Sequence, residues 1–306
     1  IPFCSHKCGY CNLFSLQTNH ADYIATYLET LHKQAQQLSP LTTGLAFDSF
    51  AIGGGTPLLL TVPQLEYLLD TAALFGVHPS HTFTSVETSL EYADPARLDL
   101  LKQAGVARVS IGVQSFLDEE LTALKRRPRR DMINQALEAI RKRQFPFFNI
   151  DLIYGLPNQT TDEINENLDI VSTLPINHIS TYSLQVERGT RLYHLVDKGV
   201  ISLPDESTED TMYDMMMQGI QDLGFERYEI SNFAKDKAYS KHNLKYWQYC
   251  DYLGFGAGAH SFFDGVRRAN NRNVMPYARK IDCFEFPVVD EEVIDSKRAR
   301  EDYCFL

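Results

Sequence analysis

From its start to about Leu184 the chain alternates short apolar runs with segments of helical period, and no other feature restricts its fold as much. Residues 47–52 read as a strand ending in Gly53-Gly54-Gly55, and strands are expected again over 82–87, 108–113, 147–153 and 178–184. Between them, Tyr23, Ile24, Tyr27, Leu28 and Leu31 mark one face of a helix over 20–38, and Leu65, Leu68, Leu69 and Ala72 mark the next. Leu98, Leu101 and Ala104 lie on a helix that Gly105 ends. Helical segments follow at 117–125 and 131–143, and Ile164, Leu168 and Val171 mark one more. Strands and helices in this order build βα units around a parallel sheet, so the fold class is α/β. Five strands are recognised and a sixth is expected just before Ile1, too few for a closed eight-fold barrel. An open or partial barrel, or a doubly wound sheet, is therefore expected. In either, chemistry belongs at the C-terminal ends of the strands, where the Cys4 loop, residues 53–56, Glu87, Gln114 and Asp151 fall.

Beyond Leu184 the pattern changes. Gly189, Gly199 and Pro204 punctuate the chain, a helix carrying Met212, Met215, Met216 and Met217 follows, where methionines suit core packing, and a loop-rich segment is expected after it. The chain divides into a core over 1–185 and a smaller α+β region over 186–306. The cysteine loop arrives at once and the chain closes on apolar Tyr303-Cys304-Phe305-Leu306, so both ends read as cuts in a longer protein, with the first strand of the core missing. The net charge of −11 argues against general nucleic-acid binding, and the basic run from Lys125 to Arg130 reads as a solvated helix end. No signal peptide is visible, and no apolar run approaches the roughly 18 residues of a membrane span. A reducing cytoplasm is the expected compartment.

Cys4, Cys8 and Cys11 form Cys-x3-Cys-x2-Cys, and the next cysteine is Cys250. Three thiolates can hold three irons of a [4Fe–4S] cluster and leave the fourth iron open for chemistry. Half of a zinc site is an alternative, although zinc takes four ligands and His6 lies too close in sequence to complete a tetrahedron comfortably. Disulfide pairing is another, although three cysteines are an odd number. Cys250, Cys283 and Cys304 read as free or buried thiols.

Gly53-Gly54-Gly55-Thr56-Pro57 follows a strand. Three residues without Cβ let the backbone approach a ligand or take φ > 0, and a tight strand-to-helix turn would use them equally. The Lys-Ser/Thr of a phosphate loop is absent. Glu87, Gln114, Arg126 and Asp151 come from successive units. Carboxylates accept hydrogen bonds from ribose hydroxyls, an amide holds polar groups, and an arginine pairs with a carboxylate. On one rim these outline a polar nucleoside pocket.

The cysteine motif, the 53–57 motif, Gly112-Val113-Gln114-Ser115-Phe116 and Asp151-Leu152-Ile153-Tyr154-Gly155-Leu156-Pro157 resemble those of the radical S-adenosylmethionine (SAM) proteins of the HemN/HemW group. The resemblance runs to Gly256-Ala257-Gly258-Ala259-His260-Ser261 and covers nearly the whole chain. It implies a partial (β/α)6 barrel and a [4Fe–4S] cluster on Cys4, Cys8 and Cys11 whose open iron takes the amino and carboxylate groups of SAM. It also implies one-electron cleavage of SAM to methionine and a 5′-deoxyadenosyl radical. Carried over, Gly54 and Gly55 line the SAM amino group, Thr56 belongs to the same cofactor site, Glu87 meets the ribose, and Gln114, Arg126 and Asp151 complete the SAM site.

His242-Asn243-Leu244-Lys245-Tyr246-Trp247 is similar to the His-Asn-x-x-Tyr-Trp motif of the HemW branch, which is associated with haem binding. Neutral imidazole is a common haem-iron ligand, Tyr and Trp can pack on a porphyrin, and a packed aromatic turn is the alternative for the same residues. His260, in a glycine-rich turn, reads as structural. The HemN branch carries a further cysteine two residues past the third, where this chain has Leu13. The resemblance thus implies haem trafficking or insertion, with haem as a possible third cofactor, an acceptor protein and an electron donor as partners, and SAM-cleaving enzyme activity left open. The alternatives are an oxygen-independent coproporphyrinogen III oxidase-like enzyme and a radical SAM enzyme on another substrate.

Overall fold

The computed structural model describes residues 1–18, 20–126 and 130–306. Its strands are β1 (Phe3–Cys4), β2 (Leu16–Gln17), β3 (Ser49–Ile52), β4 (Phe83–Ser89), β5 (Arg108–Gln114), β6 (Phe147–Tyr154), β7 (His178–Ser183), β8 (Glu226–Arg227), β9 (Asn232–Ala234), β10 (His260–Phe263), β11 (Val266–Asn270) and β12 (Val288–Val293). Its helices are α1 (Ala21–Leu38), α2 (Val62–Ala73), α3 (Pro95–Ala104), α4 (Asp118–Ala123), α5 (Arg130–Arg143), α6 (Thr161–Ser172), α7 (Arg191–Asp197), α8 (Glu206–Asp222), α9 (Lys241–Trp247), α10 (Val274–Asp282) and α11 (Ser296–Phe305). One sheet runs β3-β4-β5-β6-β7-β9-β8. Its first five strands are parallel, and β9 joins β7 antiparallel. β1 and β2 form a separate parallel pair that brackets the cysteine loop, and β10 to β12 form a small antiparallel sheet.

Period-two alternation explains the sheet's two faces. Val86, Val109, Ile111, Ile150, Leu152 and Ile179 are buried in one apolar core with Leu65, Leu98, Ile133 and Leu137 of the helices. The intervening residues Ser85, Glu87, Arg108, Ser110, Asp151 and Ser180 line a cavity on the opposite face. β4 runs two residues past the expected end at Glu87, because Thr88 and Ser89 still pair with Ile111 and Gly112. The same core takes in Met212 and Met216 of α8, with Met215 and Met217 packed against it, and Tyr277 of α10. No helix among the described residues is long and apolar enough to cross a membrane.

The helix expected over 117–125 stops at Ala123. Lys125 takes φ +54, and the amides of Lys125 and Arg126 bond back to the carbonyls of Thr122 (2.9 Å) and Leu121 (2.8 Å). This Schellman closure turns Arg126 off the helix axis toward the cysteine loop. Of the basic run, Arg127, Pro128 and Arg129 lie outside the described residues.

Candidate functional site

The cysteine loop is fastened at several points. Phe3 is fully buried, with its ring edge-on to Tyr27 at 5.1 Å. Gly55 donates to the Ile1 carbonyl (2.8 Å) and Thr56 to the Phe3 carbonyl (2.7 Å), so the 53–56 turn runs alongside β1. The Gly9 amide donates to Leu124 (3.1 Å), and His6 Nε2 bonds the Lys125 carbonyl (2.7 Å), which ties the loop to the end of α4. His6 is thus committed to the backbone.

Cys4, Cys8 and Cys11 are all half-buried, and the Thr56 hydroxyl points at Cys4 Sγ (3.6 Å). Burial, the largest effect, pushes the Cys8 thiol up against the opposing pull of Arg126. Among the described residues no three His, Cys, Asp or Glu side chains converge on a single-ion position. A tetrahedral zinc site needs such convergence, whereas a four-iron cluster takes each cysteine on a different iron. Three half-buried thiols on one pinned loop, at the edge of a large cavity, fit the second donor arrangement.

Each glycine of the 53–55 turn has a packing reason. A Cβ on Gly55 would lie 2.5 Å from the Phe3 carbonyl oxygen, and one on Gly53 would lie 2.8 Å from the Glu87 carboxylate. Gly54 takes φ +109, which side-chain-bearing residues rarely adopt. Backbone approach to β1 at Gly55, the positive φ of Gly54 and the Glu87 carboxylate beside Gly53 together account for this motif.

A cavity of about 900 Å³ opens beside the loop. Cys11, Gly53, Glu87, Gln114, Asp151 and His242 line it, while Cys4, Cys8, Gly54, Gly55, Thr56 and Arg126 stand outside its wall. Arg126 serves the loop, with Nη2 donating to the Gly112 carbonyl (2.8 Å) and Nη1 to the Tyr10 hydroxyl (3.4 Å). Gln114 is buried at φ +72, where a register shift after Gly112 swings its side chain across the strand. A Cβ on Gly112 would lie 2.6 Å from Gln114 Nε2, so glycine leaves room for that amide.

Glu87 is exposed to this open-sided cavity by surface area, yet enough protein atoms crowd around its carboxyl to make the charge costly. Its pKa is raised, first by burial and then by Asp151, against Arg108 and a hydrogen bond from the Gly54 amide. Asp151 is also raised by burial, against Arg108 and hydrogen bonds from Asn149, Ser180 and Ser110. Asn149 Nδ2 donates to Asp151 Oδ1 at 2.7 Å, and its Oδ1 meets His178 Nδ1. His178 Nε2 meets the Tyr228 hydroxyl (2.7 Å), which also accepts from the Ser240 amide (3.0 Å) at the start of α9. Sequence reasoning missed this network and Arg108. Its signal was a polar residue at every second strand position, aligned by register: Ser110 beside Asn149, and Asn149 beside His178.

His242 does not stand with the cysteines. It lies at Ser49, the first residue of β3, whereas Gln114 and the cysteine loop lie at the opposite, C-terminal strand ends. Both its ring nitrogens are engaged, Nδ1 with Ser49 Oγ (3.0 Å) and Nε2 with the Tyr246 hydroxyl (3.0 Å). Iron could bind there only by displacing one hydroxyl. Burial, then Arg108, lowers its pKa, which favours the neutral imidazole a metal needs. Tyr246 and His260 line the same cavity; Trp247 does not. Cys283 and Cys304 are exposed and Cys250 is half-buried.

The family model of the Radical SAM superfamily matches residues 1–171. The heme chaperone HemW of Bacillus subtilis (strain 168) is 36% identical over 310 residues, covering 100% of this chain and 81% of that protein. Its counterpart in Haemophilus influenzae is 33% identical over 85% of this chain and 68% of its own length. The mitochondrial radical S-adenosyl methionine domain-containing protein 1 of Bos taurus is 35% identical over 86% of this chain and 59% of its own length. Among solved structures, the coproporphyrinogen III oxidase HemN of Escherichia coli superposes with a TM-score of 0.87 at 22% identity, over 99% of this chain and 72% of that one. That likeness establishes the shared fold.

Proposed function

The chain belongs to the radical SAM superfamily and within it to the HemW family, and from that premise we propose that it carries haem for delivery to an acceptor protein. The superfamily implies a [4Fe–4S] cluster and SAM. In this reading Cys4, Cys8 and Cys11 hold three irons, and when bound the cluster supplies an open iron site and one electron to SAM. Arg126 steadies the cysteine loop through Tyr10 and the Gly112 carbonyl. Gln114, Glu87 and Asp151 offer an amide and two carboxyls to the polar groups of SAM, and Gly54, Gly55 and Thr56 hold the turn beside β1. The cluster requires an external electron donor.

The observation that carries the haem reading is the continuity of the cavity. One cavity of about 900 Å³ is lined by Cys11 and Gln114, at the C-terminal strand ends, and by His242 and Tyr246, beside the start of β3. Such a volume is near the upper end of the roughly 300–1,000 Å³ of small-molecule pockets. An occupant of this open-sided cavity would be within reach of both motifs. In this reading His242 binds the haem iron through a nitrogen released by Ser49 or Tyr246.

The test combines two measurements. The anaerobically reconstituted protein is given reductant and SAM, and 5′-deoxyadenosine is measured with and without coproporphyrinogen III. Haem is then titrated into wild type and His242→Ala. Haem binding weakened by the substitution, without porphyrinogen turnover, supports carriage. Conversion of coproporphyrinogen III to protoporphyrinogen IX would refute it in favour of an oxidase. Iron content that survives Cys4→Ala, Cys8→Ala or Cys11→Ala would refute the cluster assignment.

A further inference from the structure

Arg108 is the first residue of β5 and only 5% exposed, yet it forms no ion pair among the described residues. A guanidinium carries five N–H donors in a rigid fork. Among the described residues only one hydrogen bond is made, from Nη1 to Ser85 Oγ at 3.1 Å, and Nε is buried without any partner. Burying an unpaired charge with unused donors is costly, and such a group in a folded chain calls for an explanation. The side chain lines the large cavity near His242, about 20 Å along β5 from Gln114 at the usual strand rise.

The groups facing it are Glu87, Asp151, His178, Tyr182, Tyr228 and His242. The two carboxyls lie close enough to act on its charge but do not reach it as hydrogen-bond or ion-pair partners. The two tyrosines keep their protons, pushed up by burial, and His242 is held neutral. A planar cationic fork with unspent donors, buried in the cavity wall, matches a carboxylate, which can take two parallel N–H bonds.

We infer that Arg108, assisted by Ser85, is the seat for a carboxylate arm of the tetrapyrrole carried in the cavity. This inference rests on the haem reading above. It assigns orientation: a propionate points to the N-terminal ends of the strands, beside His242, and away from the cysteine loop. Arg108 is thereby a specificity residue that separates dicarboxylate porphyrins from neutral ones.

The experiment titrates ferric haem and its dimethyl ester, which lacks both carboxylates, into wild type and R108Q, read by haem absorbance. Wild type should prefer haem over the diester by on the order of 10- to 100-fold, the value of a charge-assisted hydrogen-bond pair. R108Q should collapse that ratio toward one. Equal wild-type affinities for haem and diester would overturn the inference while leaving haem carriage intact, and this comparison decides even if R108Q fails to fold. Failure of wild type to bind either ligand would overturn the haem reading and this inference with it. A SAM titration separates the other source of a carboxylate. If R108Q weakens SAM while the haem-to-diester ratio stays at its wild-type value, the seat belongs to SAM and the inference falls.

Discussion

Replacing Gly55 by alanine tests how the cysteine loop is held. The added Cβ would lie 2.5 Å from the Phe3 carbonyl oxygen and 2.9 Å from the Phe3 nitrogen, both backbone atoms of β1. Ordinary contact begins at 3.4 Å, so turn and strand must separate by about 0.9 Å (3.4 less 2.5). Phe3 cannot yield easily, because its ring is fully buried against Tyr27. A shift of that size takes the Gly55–Ile1 and Thr56–Phe3 hydrogen bonds, now 2.8 and 2.7 Å, beyond hydrogen-bond range. Two such bonds are worth about 2 kcal/mol, within the range of about 1–3 kcal/mol for overpacking. Melting should fall by on the order of 5 °C. The same movement carries Thr56 away from Cys4, so less iron should be retained after reconstitution. Gly53→Ala is the comparison: its Cβ meets only the Glu87 carboxylate, the end of a side chain that can turn. It should keep iron and weaken SAM binding instead. Wild-type melting and iron content in Gly55→Ala would refute the packing argument. So would equal iron loss in the two variants.

Three further outcomes follow from the buried groups. His178 is held well below its usual pKa, first by burial and then by Arg108. The unfolded chain therefore binds a proton that the folded chain does not, and stability should fall as pH drops below about 6.5, by up to about 1.4 kcal/mol per pH unit. Glu87 and Asp151, raised by burial, act in the opposite sense as pH rises above about 4, so the difference in denaturant midpoint between wild type and His178→Gln isolates the histidine across pH 5 to 7. Asn149→Ala strips partners from both Asp151 and His178 and should cost about 2–4 kcal/mol in urea unfolding. Met212→Ala should cost about 2–5 kcal/mol, since the side chain is fully buried in the main core; an effect below about 0.5 kcal/mol would contradict its role in packing.

The parallel strands and most helices were legible because each is a local pattern. Leu65, Leu68 and Ala72 lie on one helix face wherever the helix packs, and they are buried there. The end of α4 was less legible, since the left-handed turn at Lys125 is closed by backbone bonds rather than by a glycine. Arg108, Ser110, Asn149 and His178 passed as isolated polar residues in apolar runs. Only register places them side by side, and register depends on which strands are neighbours. The glycine motif was visible, but its reason was not, because the atoms that exclude a Cβ at Gly55 belong to a strand some fifty positions earlier.

By itself the sequence determined the α/β class, the cysteine spacing and the His242-Asn243-Leu244-Lys245-Tyr246-Trp247 motif, because periodicity and short-range spacing survive without knowledge of the fold. Tertiary structure alone decided that Gln114 and His242 stand at opposite strand ends of one chamber, and that a charged Arg108 waits in its wall without an ion-pair partner among the described residues. Those facts arise from strand pairing and from α9 packing under β3 and β4, contacts between residues far apart in the chain that no local pattern encodes.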